Sequence, residues 1–97
     1  MPTYIGLWKV TEQGAKGIKD VPRQIEEGIK GAEKMGCKVL GFYAVMGEYD
    51  FVTVGEWPSD EVAMTFSMGV SSRGNARLTT LRAFLKEEFA AMVKKLP

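Results

Sequence analysis

The strands of this chain are apolar on both faces, and few folds can use a sheet built that way. Four stretches read as strands from their β-branched, aromatic and aliphatic content: Tyr4 to Val10, Lys38 to Met46, Phe51 to Trp57 and Ala76 to Phe84. Successive side chains along a strand point to opposite sides. In the first stretch Ile5 and Leu7 point one way while Tyr4, Trp8 and Val10 point the other. The second sets Leu40, Phe42, Ala44 and Met46 against Val39, Tyr43 and Val45, and the third sets Val52 and Val54 against Phe51 and Trp57. An antiparallel sheet that meets water on one side alternates apolar with polar residues. This one has two sides to cover.

Helical signals lie between the strands. Thr11 caps a helix start with Glu12 in its first turn, and Asp20-Val21-Pro22 interrupts or restarts that helix. Ile18, Val21, Ile25, Ile29 and Ala32 then recur at helical spacing until Gly36. Pro58-Ser59-Asp60-Glu61 opens a second helix with Val62, Phe66 and Val70 as its stripe. Leu85 to Leu96 forms a last helix with Leu85, Phe89, Met92 and Leu96 on one face. The order β-α-β-β-α-β plus a terminal helix predicts an α+β, ferredoxin-like domain with a four-stranded antiparallel sheet, spanning residues 1–97 without linker or repeat. Two helices cover one side of such a sheet. The terminal helix covers part of the other at most, whereas a second copy stacked sheet on sheet covers more. A homodimer through the sheet is expected, with higher oligomers left open. Which face is outermost depends on the loop at Gly47, since a one-residue change in its length moves Tyr43 from the side of Val52 to that of Phe51.

The chain holds 13 basic and 12 acidic residues and no histidine. A net charge of +1 gives no field to collect phosphates or anionic lipids. Without imidazole there is no usual haem or zinc ligand and no histidine-based catalytic dyad, which leaves chemistry to carboxylates, tyrosine, lysine, arginine, the lone thiol or a bound cofactor; no metal and no cofactor is expected. Cys37 is the one cysteine, which fits a reducing compartment. No signal peptide or membrane span is visible, and the default location is cytoplasmic. Asp50-Phe51-Val52-Thr53-Val54-Gly55 lacks the basic and paired aromatic residues of an RNA-recognition strand, which argues against nucleic acid as a partner.

Several side chains are candidates for a site. Gly47-Glu48-Tyr49-Asp50 reads first as a hairpin turn, with Gly47 supplying positive φ and Asp50 accepting from nearby amides. Read as chemistry, Tyr49 and Asp50 would line a cavity mouth and serve as acid or base. Tyr4, Trp8 and Tyr43, with Trp57, suit a flat apolar ligand or equally an interface. Thr53 adds a hydroxyl, and Arg77 or Arg82, on opposite faces of their strand, could anchor a carboxylate. Cys37 lies at a helix C-terminus, where a thiol's pKa rises, so it reads as inert.

These stretches resemble the GYD domain family, small proteins with a Gly-x-Tyr-Asp hairpin like Gly47, Tyr49 and Asp50. The resemblance extends to Pro2-Thr3-Tyr4-Ile5, Thr11-Glu12-Gln13-Gly14-Ala15, Gly74-Asn75 and Thr79-Thr80-Leu81-Arg82-Ala83-Phe84. Gly6 departs from it, standing where a larger aliphatic residue is usual, and so does Leu78, where a polar one is. The family looks like part of the dimeric α+β barrel superfamily, which implies the homodimer but no settled activity. The expected function is therefore a homo-oligomer that holds a small apolar or aromatic molecule in a sheet-lined cavity at the dimer interface. Candidate ligand-binding residues are Tyr4, Trp8, Tyr43, Tyr49, Asp50, Thr53 and Arg77. The alternatives are a cofactor-independent monooxygenase or isomerase on the same barrel, and an assembly module without a ligand.

Overall fold

The structure, a computed structural model, describes all of residues 1–97. Strand β1 is Thr3–Val10, followed by a short helix α1, Glu12–Lys16, and a single 3₁₀ turn at Ile18–Asp20. Helix α2 is Val21–Lys34, β2 is Lys38–Ala44, β3 is Phe51–Glu56, α3 is Asp60–Ser72, β4 is Ala76–Ala83 and α4 is Lys86–Lys94. All strand pairs are antiparallel, in the order β2-β3-β1-β4. This is the ferredoxin-like α+β arrangement with one added helix.

Local chemistry explains the breaks. The Thr11 hydroxyl accepts from the Gly14 N–H and starts α1, which lasts little more than a turn before Gly17. Pro22 sits in the first turn of α2, where its missing N–H costs nothing. The Ser59 side chain accepts from the Val62 N–H and caps α3. Strand β2 ends two residues before the predicted Met46, because the Val45 N–H turns to the Asp50 carbonyl and closes the hairpin loop. Strand β3 ends one residue early, and Trp57 leaves the ladder for the core, its N–H held by the Pro2 carbonyl.

Registry settles the faces. Tyr43 stands opposite Val52, so it shares a face with Val54, Ile5 and Leu7. A bulge at Leu40 breaks the strict alternation of β2, and it moves Val39, Phe42 and Ala44 onto the side of Gly55, Thr53 and Phe51. Strict alternation predicts Val39 on the side of Tyr43. A period-two pattern cannot register a bulge, because the extra residue shows only in the pairing.

Helix α3 packs on β4 and α2 on β2, both over the face that carries Tyr4, Trp8, Phe51, Thr53 and Leu78. The buried core on this side is small: Tyr4, Ala32, Trp57 and Ala63, with Cys37, Val62 and Phe66 packed against it. No element packs on the opposite face. There Ile5, Leu7, Val52 and Val54 are half-buried among their neighbours, while Tyr43 and Leu81 are 57% and 43% exposed. Helix α4 does not cover them. Every one of its residues is exposed, and it stands away from the body, which gives the chain a length of 53 Å. The radius of gyration is 14.8 Å. A compact chain of this size would have about 12.5 Å.

Candidate functional site

Three surfaces carry the chemistry-bearing residues, and the structure keeps them apart. The first is a cavity of about 560 Å³ between the sheet and the α2–α3 layer. Its floor is made by alternate residues of β1, β3 and β4. Trp8 lies across it, the indole Nε1–H donating to the Thr53 hydroxyl at 3.0 Å. Gly6 makes room for that pose: a Cβ there would stand 2.4 Å from Thr53 Oγ1 and 2.9 Å from Trp8 Nε1. Aromatic rings form the walls. Phe42 and Phe51 sit 5.3 Å apart, Trp57 and Phe66 5.0 Å apart, and Trp8 meets Phe66 edge-on at 6.4 Å. Val21, Ile25 and Ile29 of α2 line the roof and remain half-exposed. Each such side chain forgoes on the order of 1 kcal/mol of the transfer energy that full burial would give.

At one end of the floor the Tyr4 hydroxyl donates to the Asp60 carboxylate, which ties β1 to the start of α3. Tyr4 is 5% exposed, and burial, then the Asp60 hydrogen bond and charge, raise its pKa above the ordinary tyrosine value. Arg82 stacks over the Tyr4 and Phe84 rings at 5.7 and 4.4 Å and acts in the other direction. Cys37 also borders the cavity. Burial, and next the charges of Glu33 and Glu56, push its thiol up to about 11. Desolvation, and not the helix end expected from the sequence, is the largest cause of that shift.

The second surface is the Gly47 hairpin. Gly47 has φ +107°, and nothing lies near the place of its missing side chain. Asp50 works as a fastener on β1: its carboxylate accepts from the Val10 N–H at 2.8 Å, and its own N–H donates to the Trp8 carbonyl at 2.8 Å. Lys9 completes the grip, 3.7 Å from a Glu48 carboxylate oxygen and 5.6 Å from the Tyr49 ring centre. The third surface is the open face of the sheet, where Tyr43 and Arg77 lie and Arg77 stands opposite Lys9. Tyr4, Trp8 and Thr53 thus share the cavity, Tyr49 and Asp50 sit at the hairpin, and Tyr43 and Arg77 occupy the far side. No group of three or more acidic or thiol side chains comes together that could hold a metal ion, and no helix is long and apolar enough to cross a membrane.

A further junction joins the end of β1 to the loop before β4. The Thr11 hydroxyl donates to the Gly74 carbonyl at 2.6 Å, its N–H donates to the Asn75 carbonyl at 3.0 Å, and the Gln13 amide donates to Asn75 Oδ1 at 3.0 Å. Gly14 is obligatory in that junction, since a Cβ would stand 2.1 Å from the Asn75 carbonyl oxygen. The chain matches the GYD domain over residues 4–93.

It belongs to the GYD domain family.

Three of the stretches by which this GYD chain resembles its family are therefore fasteners of one corner: Asp50, Thr11, Gln13 and Gly74-Asn75 meet at the C-terminal end of β1. A similar curated protein is the "Glutamine synthetase and cystathionine beta-lyase binding protein" of Thermus thermophilus. It is 34% identical over 95 residues, covering 97% of this chain and 100% of that protein. No solved structure matches the chain. Sequence reasoning missed the roof of the cavity. Its visible trace is Gly28, which falls between Ile25 and Ala32 on the inward stripe of α2, where a large side chain is the norm.

Proposed function

We propose that this GYD protein is a binding protein that acts as a homodimer closed over the open face of its sheet, holds a small apolar or aromatic molecule, and docks on other proteins. One observation carries the reading: two apolar surfaces of the same chain, the open sheet face and the Leu85–Phe89–Met92 stripe of α4, have no cover within the chain. Soluble monomers rarely expose contiguous apolar patches of more than a few hundred Å². A C2 pairing of two open faces is self-complementary and leaves no face to a third copy. Docking on other proteins rests on the similar Thermus thermophilus protein, which is named for binding two enzymes.

The hairpin geometry supports association over catalysis. The Asp50 carboxylate accepts from the Val10 N–H, Tyr49 lies under the Lys9 ammonium, and neither lines the cavity, so neither reaches a ligand there as acid or base. Sedimentation at micromolar concentration tests the reading. The wild-type chain is expected to run as a dimer, and Leu81→Glu, which places a charge beside Ile5 on the edge strand of the open face, as a monomer with unchanged circular dichroism. A wild-type chain that sediments as a single subunit sinks it.

A further inference from the structure

The expectation of a ligand at the dimer interface has a competitor within the subunit. We infer that the space between the sheet and the α2–α3 layer of a single chain is the ligand site, and that it takes an uncharged, flat, largely apolar molecule bearing one hydrogen-bond acceptor. The inference deepens the small-molecule part of the proposed function and does not depend on the dimer.

Volume is the first argument. About 560 Å³ lies within the range of small-molecule pockets. Protein interiors leave few voids larger than a water molecule; this space is a cleft beneath two helices that stays open to solvent past the half-exposed Val21, Ile25 and Ile29. Lining chemistry is the second. Phe42, Phe51 and Phe66 present ring faces and edges to the space, and the charged lining residues, Glu27 and Arg73, are both exposed. Glu27 is moreover already paired with Arg23. A charged ligand would lose its hydration and find no partner inside, which argues for a neutral one.

Two hydroxyls flank Gly6 on the floor, Thr53 and Thr80, and the one beside the Trp8 indole supplies the ligand's handle. The Thr53 hydroxyl accepts from Trp8 Nε1–H, which leaves the hydroxyl's own proton to donate. A carbonyl or ether oxygen of a bound molecule is the matching group.

Absence of side chains is the third argument. Gly28 sits on the inward stripe of α2 and lines the cavity, yet nothing lies within 4 Å of where its Cβ would be. Gly31 of α2 also lines it with nothing near its missing side chain, as does Gly69 of α3, which is exposed at the rim. Each glycine costs a helix interior roughly 1 kcal/mol against alanine. Close packing normally explains such residues, and here there is no packing to explain them. What they keep is room.

Prodan, a neutral fluorescent naphthyl ketone, is a suitable probe. The wild-type protein is expected to bind it with a blue-shifted emission, and Leu81→Glu to bind it equally well whatever its oligomeric state. Gly28→Leu projects a side chain into the cavity from a position with space for it and better helix propensity; it is expected to fold, to keep the wild-type oligomeric state and to lose roughly tenfold or more in Prodan affinity. Thr53→Val is expected to weaken Prodan while leaving the ethyl-naphthalene analogue, which lacks the ketone, unaffected. Failure of the wild type to bind Prodan overturns the site, as does unchanged affinity in Gly28→Leu or loss of binding in Leu81→Glu alone. Dimer formation is read separately, so the two proposals fail independently.

Discussion

Cys37 shows how far one side chain's chemistry follows from its surroundings. Its thiol is half-buried at the cavity edge and faces the charges of Glu33 and Glu56, so the thiolate is disfavoured. Alkylation by iodoacetamide is expected to be slow at neutral pH, with the rate still rising past the ordinary thiol pKa toward about 11. Tyr4 shifts in the same direction, chiefly through burial. In both cases the folded state holds its proton more tightly than the unfolded chain. Their contribution to stability is therefore complete below the unfolded pKa values and is lost as pH rises through the folded ones. Urea midpoints are expected to be flat around neutrality and to fall from about pH 9 upward; a midpoint that rises there refutes the assignment.

Among the elements, β1 is the organiser. It is central in the sheet, and its C-terminal end receives the Gly47 hairpin through Asp50 and the loop before β4 through Thr11 and Gln13. The Asp50 carboxylate bond to the Val10 N–H is charge-assisted and exposed. Asp50→Ala is expected to cost about 1 kcal/mol, read as a lower urea midpoint, and to leave Prodan binding within a factor of about two. Abolished ligand binding at unchanged stability would instead place Asp50 in a site. Three of the family-like stretches, scattered over more than sixty residues of sequence, thus serve one corner of the structure.

At the scale of the molecule, α4 is the outlier. It is joined to β4 by Phe84-Leu85, both about half exposed, and its start is held locally by Glu88, which accepts from the Leu85 N–H at 2.7 Å. Helices this short are marginal alone in water, so its apolar stripe needs a partner surface. A chain ending at Phe84 is expected to keep the thermal transition of its sheet and to dissociate from dimer to monomer at concentrations where the full chain stays paired. Light scattering after size exclusion reads the outcome. An equally tight truncated dimer would remove α4 from the interface.

Periodicity and caps made the order of elements legible: Thr11 and Ser59 mark helix starts, Pro22 marks a restart, and the strands announce themselves by β-branched content. The two apolar faces were also plain, because side-chain direction along a strand is a local property. Pairing was not. The bulge at Leu40, which puts Val39 on the face of Phe42 instead of Tyr43, and the even loop that sets Tyr43 beside Val52 exist only as relations between strands. So does the division of Trp8 and Thr53 from Arg77, and the space above Gly6 and below Gly28, which depends on how far two helices stand from a sheet. Local sequence fixes what each segment can be, through sterics and solvation acting over a few residues. Where a cavity opens is fixed by distances between segments remote in the chain.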